Sequence, residues 1–508
     1  MVEVVNTVKG ESPAAERVSG KGGQPQEPKK TKLYQARKKV FPKAITGTYR
    51  RLKTTLALLF MGVYFLLPWL RWDRGPGAPD QAVLVDLKHR RFYFFWIEIW
   101  PQEFYYVAGL LILAGIALFI ATSMVGRAWC GYACWQTVWT DMFMWVERKV
   151  EGDRNAQIRL EKEPWTAKKI FKRATKFAIW GLIAFWTSFT FILYFWDAYE
   201  LAYWFFTAQA PSVAYWTVAI MGFVTYVFAG HMREQVCIYM CPWPRIQGAM
   251  VDEDTLIVTY HDWRGEPRGS MRDRKKHKEI QYGDCIDCGL CVAVCPTGID
   301  IRDGQQLACI TCALCIDACN SVMKKVGKPQ NLIGYSNVSA YEKLATGEKV
   351  DFGWRSFIRP RTIVYLSVWT FIAGALLWHL TTRDRLDINV VHDRNPIFVR
   401  LSSGEIRNGY TVRLLNMQLE PRTFRLTLEG LDGAKMRIIG VDKPPARSFD
   451  IKVAGNKAKS LRVFVTIDPK KLKSGREEFA FRIEALGKDG KPEETAIKKA
   501  VFEGPGPR

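Results

Sequence analysis

The chain lacks the marks of several common redox sites. No G-x-G-x-x-G follows a strand-like run, so no dinucleotide site is expected. Histidine occurs only six times in 508 residues. A bis-His haem b needs two imidazoles at one depth of a helix bundle. His231 and His379 fall at membrane edges that the loop charges place on opposite faces. His89, His261, His277 and His392 fall in loops or soluble parts. Haem is therefore excluded. No cysteine follows Cys319, so the C-terminal part is not a disulfide scaffold. No long apolar run precedes Thr54, so a secretory signal peptide is not expected.

Acidic residues are outnumbered: 73 Lys and Arg stand against 50 Asp and Glu. The surplus points to nucleic acid or to an anionic membrane surface. Five apolar stretches decide for membrane lipid and against nucleic acid. They run roughly Thr54–Leu70, Phe104–Met124, Phe177–Trp196, Ser212–Gly230 and Ile363–Leu380. Each approaches the length that crosses ~30 Å of hydrocarbon. The basic run Lys29–Lys53 and the 127–176 loop read as cytoplasmic by the positive-inside rule. The 197–211 loop has no Lys or Arg and reads as periplasmic. The 71–103 loop carries Arg71, Arg74, Lys88, Arg90 and Arg91 against its expected periplasmic side. Its neighbours nevertheless fix its parity.

The chain is organised around two runs, CIDCGLCVAVCP and CITCALCIDACN. Each contains C-x2-C-x2-C-x3-C, with Cys285, Cys288, Cys291 and Cys295 in the first and Cys309, Cys312, Cys315 and Cys319 in the second. Three closely spaced thiolates can surround three corners of a cuboidal cluster, and the fourth ligates the other cluster in two-cluster ferredoxins. The spacing predicts two [4Fe–4S] clusters. One is held by Cys285, Cys288, Cys291 and Cys319, the other by Cys309, Cys312, Cys315 and Cys295. Zinc sites are usually built from two C-x2-C pairs, which this unbroken spacing fits poorly.

The other four cysteines form two C-x-Tyr-x-C pairs, Cys130 with Cys134 and Cys237 with Cys241, each after the second helix of an apolar hairpin. On one helix, positions i and i+4 share a face. If spans two and four are neighbours, four thiols converge at the cytoplasmic edge. Thiolates favour Cu(I), Zn or iron–sulfur clusters over Mg or Ca, and a dithiol can pass two electrons as a disulfide. Free cysteine as a small buried hydrophobe is the bland alternative.

From Asp387 short alternating runs recur, from INVVH to IKKAVFEG, with turn signals such as Asn408-Gly409 and Asp489-Gly490. About eight strands predict an immunoglobulin-like β-sandwich, most simply a docking or stabilising module. The expected organisation is a polytopic α-helical membrane protein with an inserted ferredoxin-like domain. Residues 1–53 form a basic, largely disordered tail, 54–250 four spans, 251–362 the cluster domain, 363–380 the fifth span and 387–508 the sandwich.

In this order, GRAWCGYACWQTVWTD, EQVCIYMCPWPRIQGAM, the double cysteine run and DRNPIFVRLSSGEIRNGYT resemble the FixG/RdxA/CcoG group, cytochrome c oxidase accessory proteins of Gram-negative bacteria. The resemblance implies an inner-membrane protein with cytoplasmic clusters and a periplasmic C-terminal domain. It implies reduction of Cu(II) to Cu(I) for cbb3-type oxidase assembly, with copper held by Cys130, Cys134, Cys237 and Cys241. Its expected partners are a cytoplasmic electron donor, a copper transporter or chaperone, and the oxidase assembly machinery; a homodimer stays open. The group's first pair is usually followed by proline. Here Trp135 follows Cys134, which would let the preceding helix run on. Two alternatives stand beside this: a quinol-dehydrogenase type of membrane ferredoxin, and a non-catalytic copper-binding assembly factor.

Overall fold

The computed structural model describes residues 39–75, 78–348, 350, 358–383, 386–418, 420–472, 474–487 and 489–505. Up to residue 38, the expected disordered tail lies outside them. Among the described residues five helices are long and apolar enough to cross a membrane: Thr48–Trp69, Pro101–Val125, Ala167–Leu193, Ser212–Met232 and Pro360–Thr382, here spans one to five. Apolar side chains such as Leu58, Leu111, Leu182, Phe223 and Phe371 point outward, which suits lipid rather than water. Span one starts six residues before its apolar run. Arg50 and Lys53 are helical and meet a carboxylate: Arg50 Nη1 donates to Asp141 at 2.8 Å, and the buried Lys53 Nζ lies 4.0 Å from it. These two cations therefore face protein, not headgroups.

Span two packs on span five, and span three on span four. One face of the bundle carries the 233–359 segment. Asp317 there accepts from the backbone N–H groups of Tyr49 (3.3 Å) and Arg50 (2.8 Å) at the start of span one. A helix N-terminus has such orphan donors and a positive dipole end. Gly47 lets the carboxylate in, since a Cβ at this residue would lie 2.2 Å from Asp317 Cγ. At the start of span five, Arg359 pairs with Asp252 at 2.9 Å. Within this segment an antiparallel pair, β4 (Ile257–Tyr260) with β5 (Ile333–Ser336), backs the helices Leu290–Val294 and Leu314–Val326.

The 71–103 loop lies on the opposite face, with the 194–211 loop and the C-terminal domain. Gln81 Nε2 donates to Leu193 O at 2.7 Å and its Oε1 accepts from Ala198 N at 2.8 Å. Arg383 pairs with Glu103 at 2.7 Å, and Arg91 Nη2 donates to Asn456 O at 3.0 Å. Sequence reading missed an antiparallel meander here: β1 (Val83–Asp86), β2 (Arg91–Phe94) and β3 (Ile97–Ile99). Three of the four unexpected arginines are engaged in this folded loop, while Arg90 is exposed. Arg71 pairs with Asp197, Arg74 donates to the carbonyls of Pro79, Gln81, Ala82 and Phe95, and Arg91 pairs with Glu98. Cations engaged in a folded loop say little about which side it occupies.

The C-terminal domain is a two-sheet antiparallel sandwich. One sheet runs β10 (Lys435–Ile438), β12 (Lys457–Ile467), β8 (Ile406–Asn416), β6 (Leu386–His392), with β7 (Val399–Arg400) also on β8. The other runs β11 (Ser448–Val453), β9 (Arg422–Glu429), β13 (Arg476–Leu486), β14 (Pro492–Glu503). Among the described residues the short β10 makes nine strands where about eight were expected. Asn408-Gly409 is no turn. It lies within β8, with Asn408 fully buried and the Asp393 carboxylate and Phe464 ring packed over Gly409. Asp489-Gly490 does lie at a hairpin, with Gly490 at φ +70°. Alternating strands put Tyr410, Phe424, Phe481 and Phe502 in one core. Phe481→Ala should cost the sandwich about 3–5 kcal/mol, read as a lowered unfolding midpoint, while the iron content of the whole protein stays constant.

Candidate functional site

The two cysteine runs fold alike. In the first, Asp287 and Gly289 are left-handed at φ 49° and 61°; in the second, Thr311 and Ala313 are at 54° and 58°. A β-branched residue in that region is strained and persists only where its surroundings hold it. Tyr335 Oη holds this one, donating to Thr311 O at 3.2 Å. Each run thereby curls its thiols toward a cavity. One cavity is lined by Cys285, Cys288, Cys291 and Cys319, with Tyr260, Met323 and Ile333 around them. The other is lined by Cys295, Cys309, Cys312 and Cys315, with Cys291 at its edge and Val258, Ile301 and Leu314 as walls.

Burial pushes the Cys312 and Cys319 thiols up to about 12 and Cys291 to about 11. Thiols this reluctant to ionise suit a bound metal, which draws off the proton itself. Among the described residues no three His, Cys, Asp or Glu side chains are grouped to hold a single metal ion. Four thiols spread around each apolar cavity suit a larger object, and a cuboidal iron–sulfur cluster fits that donor set.

The membrane-edge pairs differ from expectation. Cys130 sits in a short helix, Ala128–Tyr132, while Cys134 is extended and caps the helix Trp135–Glu151. Cys237 sits in a π-helical turn, Val236–Met240, while Cys241 is extended before Pro242 and the helix Trp243–Met250. Neither pair lies on one unbroken helical face, because the chain breaks at the second cysteine of each. Trp135 does not carry the preceding helix through. It takes the first position of a new helix, where proline would also be tolerated, and stacks on Trp139 with ring centroids 3.8 Å apart.

An exchange of partners brings the thiols within electrostatic reach of one another. The helix after Cys241 packs on span two, which leads to Cys130; the helix after Cys134 packs on the end of span four, which leads to Cys237. This exchange, rather than contact between spans two and four, gathers the four. They act on one another electrostatically: Cys130 feels Cys134 and Cys241, and Cys237 feels the other three. Burial raises Cys130 and pushes Cys237 up to about 12. Cys130 Sγ donates to Gln247 Oε1 at 3.1 Å.

A buried charge network fixes the exchange. Glu147 accepts from Arg233 (2.8 Å) and Lys176 (3.3 Å); Glu151 pairs with Lys176 (2.8 Å) and Arg173 (3.1 Å). Burial opposes the Glu147 charge, but Arg233 and Lys176 outweigh it and hold the carboxyl below its usual range. Arg233 lies four residues before Cys237 and is itself left-handed at φ 47°, with Nε donating to Gly230 O at 2.7 Å. Sequence reading missed this network. Its signal was present in Glu147 and Glu151 at i and i+4, and in Lys176 at the edge of an apolar run.

The first pair also touches the second cavity. Gly131 packs on the backbone of the second run, so that a Cβ there would lie 2.6 Å from Ile310 O and 3.0 Å from Cys312 Cα. Tyr132 Oη donates to Cys312 O at 3.1 Å.

Three family models match the chain. One, described as a 4Fe-4S dicluster domain, covers residues 232–338; one, a 4Fe-4S binding domain, covers 107–151; one, an Ig-like fold at the C-terminus of FixG, covers 376–505. The chain is 51% identical over 497 residues to nitrogen fixation protein FixG of Rhizobium meliloti, spanning 93% of this chain and 94% of that protein. It is 48% identical to protein RdxA of Cereibacter sphaeroides over 93% of this chain and 98% of that one, and 53% identical to protein RdxB of the same organism over 78% and 83%. With five apolar helices, two thiol-lined cavities and a C-terminal sandwich in the matching order, this chain belongs to the FixG/RdxA family of membrane-associated 4Fe-4S electron-transfer proteins.

Proposed function

We propose that this protein reduces Cu(II) to Cu(I) at Cys130, Cys134, Cys237 and Cys241, for assembly of a cbb3-type oxidase. One observation carries the reading: four thiols from two distant segments lie within electrostatic reach of one another, though not at the spacing of ligands round a single ion, and the Gly131 turn between the first two packs on the second cysteine run. Cys285, Cys288, Cys291 and Cys319 would hold one cluster, and Cys295, Cys309, Cys312 and Cys315 the other. Bound clusters supply one-electron storage and transfer. The chain's own residues do the rest. Thiolates prefer Cu(I) over Cu(II), so the four cysteines favour the reduced ion. Copper binding displaces the protons that burial keeps on Cys130 and Cys237. Gln247 orients Cys130, and the Arg233–Glu147 pair holds the turn that carries Cys237. The cluster domain faces the cytoplasm of a bacterial inner membrane, and the sandwich faces the periplasm.

A second reading has its own support. The family model over 107–151 is a 4Fe-4S binding domain, and Cys130 and Cys134 are the only cysteines within it. The four membrane-edge thiols would then hold a third cluster.

Two measurements test this. Reporter fusions after Glu163, Ala208, Lys343 and Gly455 should read cytoplasm, periplasm, cytoplasm, periplasm; a cytoplasmic signal from the last would reverse the orientation. Replacing Cys237 and Cys241 with serine should leave about eight irons per chain, the content of two cuboidal clusters, and abolish copper binding and Cu(II) reduction. A loss of about four irons from about twelve would instead establish the third cluster. Cu(II) reduction at the wild-type rate in that variant would remove these thiols from the reaction.

A further inference from the structure

Arg127 has no role in the account above. It follows span two and precedes Cys130 by three residues. It is 7% exposed, no carboxylate among the described residues pairs with it, and its Nε has no hydrogen-bond partner. Its Nη1 donates to Leu307 O, two residues before Cys309. A buried, unpaired guanidinium is costly unless something anionic faces it. Arg127 lies between two thiol-bearing stretches: Cys130 is three residues on, within hydrogen-bond reach of the guanidinium, and its acceptor Leu307 O is two residues before Cys309 of the second cavity, so its charge favours the thiolates of Cys130, Cys237 and Cys309.

The first cavity is built otherwise. One arginine there, Arg302, pairs with Asp287 at 2.5 Å and with Asp300 at 2.7 Å, and Arg274, which donates to Cys285 O at 2.7 Å, is only half-buried, so that water screens its charge. The Arg302 guanidinium is neutralised locally; Arg127 is not. The second cavity also abuts the Cys130–Gly131–Tyr132 turn directly.

We propose that Arg127 is a shared counter-charge for the second cavity and the membrane-edge thiols, which makes the second cavity the point where electrons leave the ferredoxin-like segment and the first the point where they enter. An added electron is one negative charge, and an uncompensated cation favours it where it stands. The electron therefore rests more favourably in the second cavity, and transfer runs from the first toward the membrane edge. One electron moves per step, no bond is made or broken, and Arg127 keeps its proton. The inference rests on cluster ligation by the eight cysteines, and iron and sulfide content of the same samples reports separately if that reading fails.

The test uses the full chain, purified anaerobically, with each cluster's reduction followed by EPR during a potential titration. The Cys288→Ser and Cys312→Ser variants assign the signals to the first and second cavities. Arg127→Gln keeps a donor for Leu307 O and removes the charge. It should lower the reduction equilibrium constant of the second-cavity cluster at least tenfold, about 59 mV for one electron, and leave the first within twofold. Arg127→Lys restores the charge and should bring the second cluster back to within threefold of wild type. Gly131→Ala, whose new methyl meets Ile310 O and Cys312, should alter the EPR line shape of the second cluster alone. Equal shifts in both clusters, shifts confined to the first, no shift in either, or a lysine variant as impaired as the glutamine one would each overturn the proposal.

Discussion

The arrangement depends on one close contact. Gly131 and the Ile310–Cys312 backbone touch, although about 180 residues separate them. One belongs to a helix break at the membrane edge, the other to the cradle of a thiol cavity. Any side chain at residue 131 would push them apart. Everything around the contact keeps it short. Tyr132 and Tyr335 pin the two carbonyls of the second run, and Asp317, between Cys315 and Cys319, caps span one. The helix cap and the thiol cavity thus share one helix, so the soluble segment cannot shift without uncapping a membrane span.

Buried charge is the second organising principle. Water-soluble proteins rarely bury Lys, Glu and Arg unless they are paired. Here Lys53, Lys176, Glu147, Glu151 and Arg233 are all buried beside the membrane edge. The pairs among Lys176, Glu147, Glu151 and Arg233 span 2.8–3.3 Å and compensate one another, and they join helices that the apolar spans alone would leave free to slide. Removing one partner would strand the other in an apolar site, at a cost of about 3–5 kcal/mol. Direction and register therefore come from ionic contacts, and insertion from apolar surface.

Much of this was legible from residue patterns, for identifiable reasons. Long apolar runs, the doubled cysteine spacing and alternating strands are local signals. They located five spans, the cluster motifs and the sandwich. The failures were tertiary. Asn408-Gly409 carries a turn signal, yet pairing with Val465 and Phe464 of β12 overrides it. Arg50 and Lys53 read only as part of a cytoplasmic basic flank because Asp141, their partner, lies about ninety residues on. The arginines of the 71–103 loop read as a contradiction of sidedness because their partners are backbone carbonyls and distant carboxylates. The C-x3-C pairs read as one helical face because i, i+4 spacing implies it. Helix breaks at Cys134 and Cys241 instead rely on packing between chain halves, which no local window contains.

The exchanged helices also set a timetable. The helix after Cys134 needs the end of span four, and the helix after Cys241 returns to span two. During synthesis the first pair of thiols emerges more than a hundred residues before the second. Early in that interval Glu147 and Glu151 lack Lys176, and until its end Glu147 lacks Arg233 and its helix lacks the end of span four. The thiol site is thus among the last parts of the membrane domain to close. It closes only after both hairpins are inserted, and the soluble cysteine runs follow it out of the ribosome. Until then Cys130 and Cys134 offer a soft metal ion two thiols, not four.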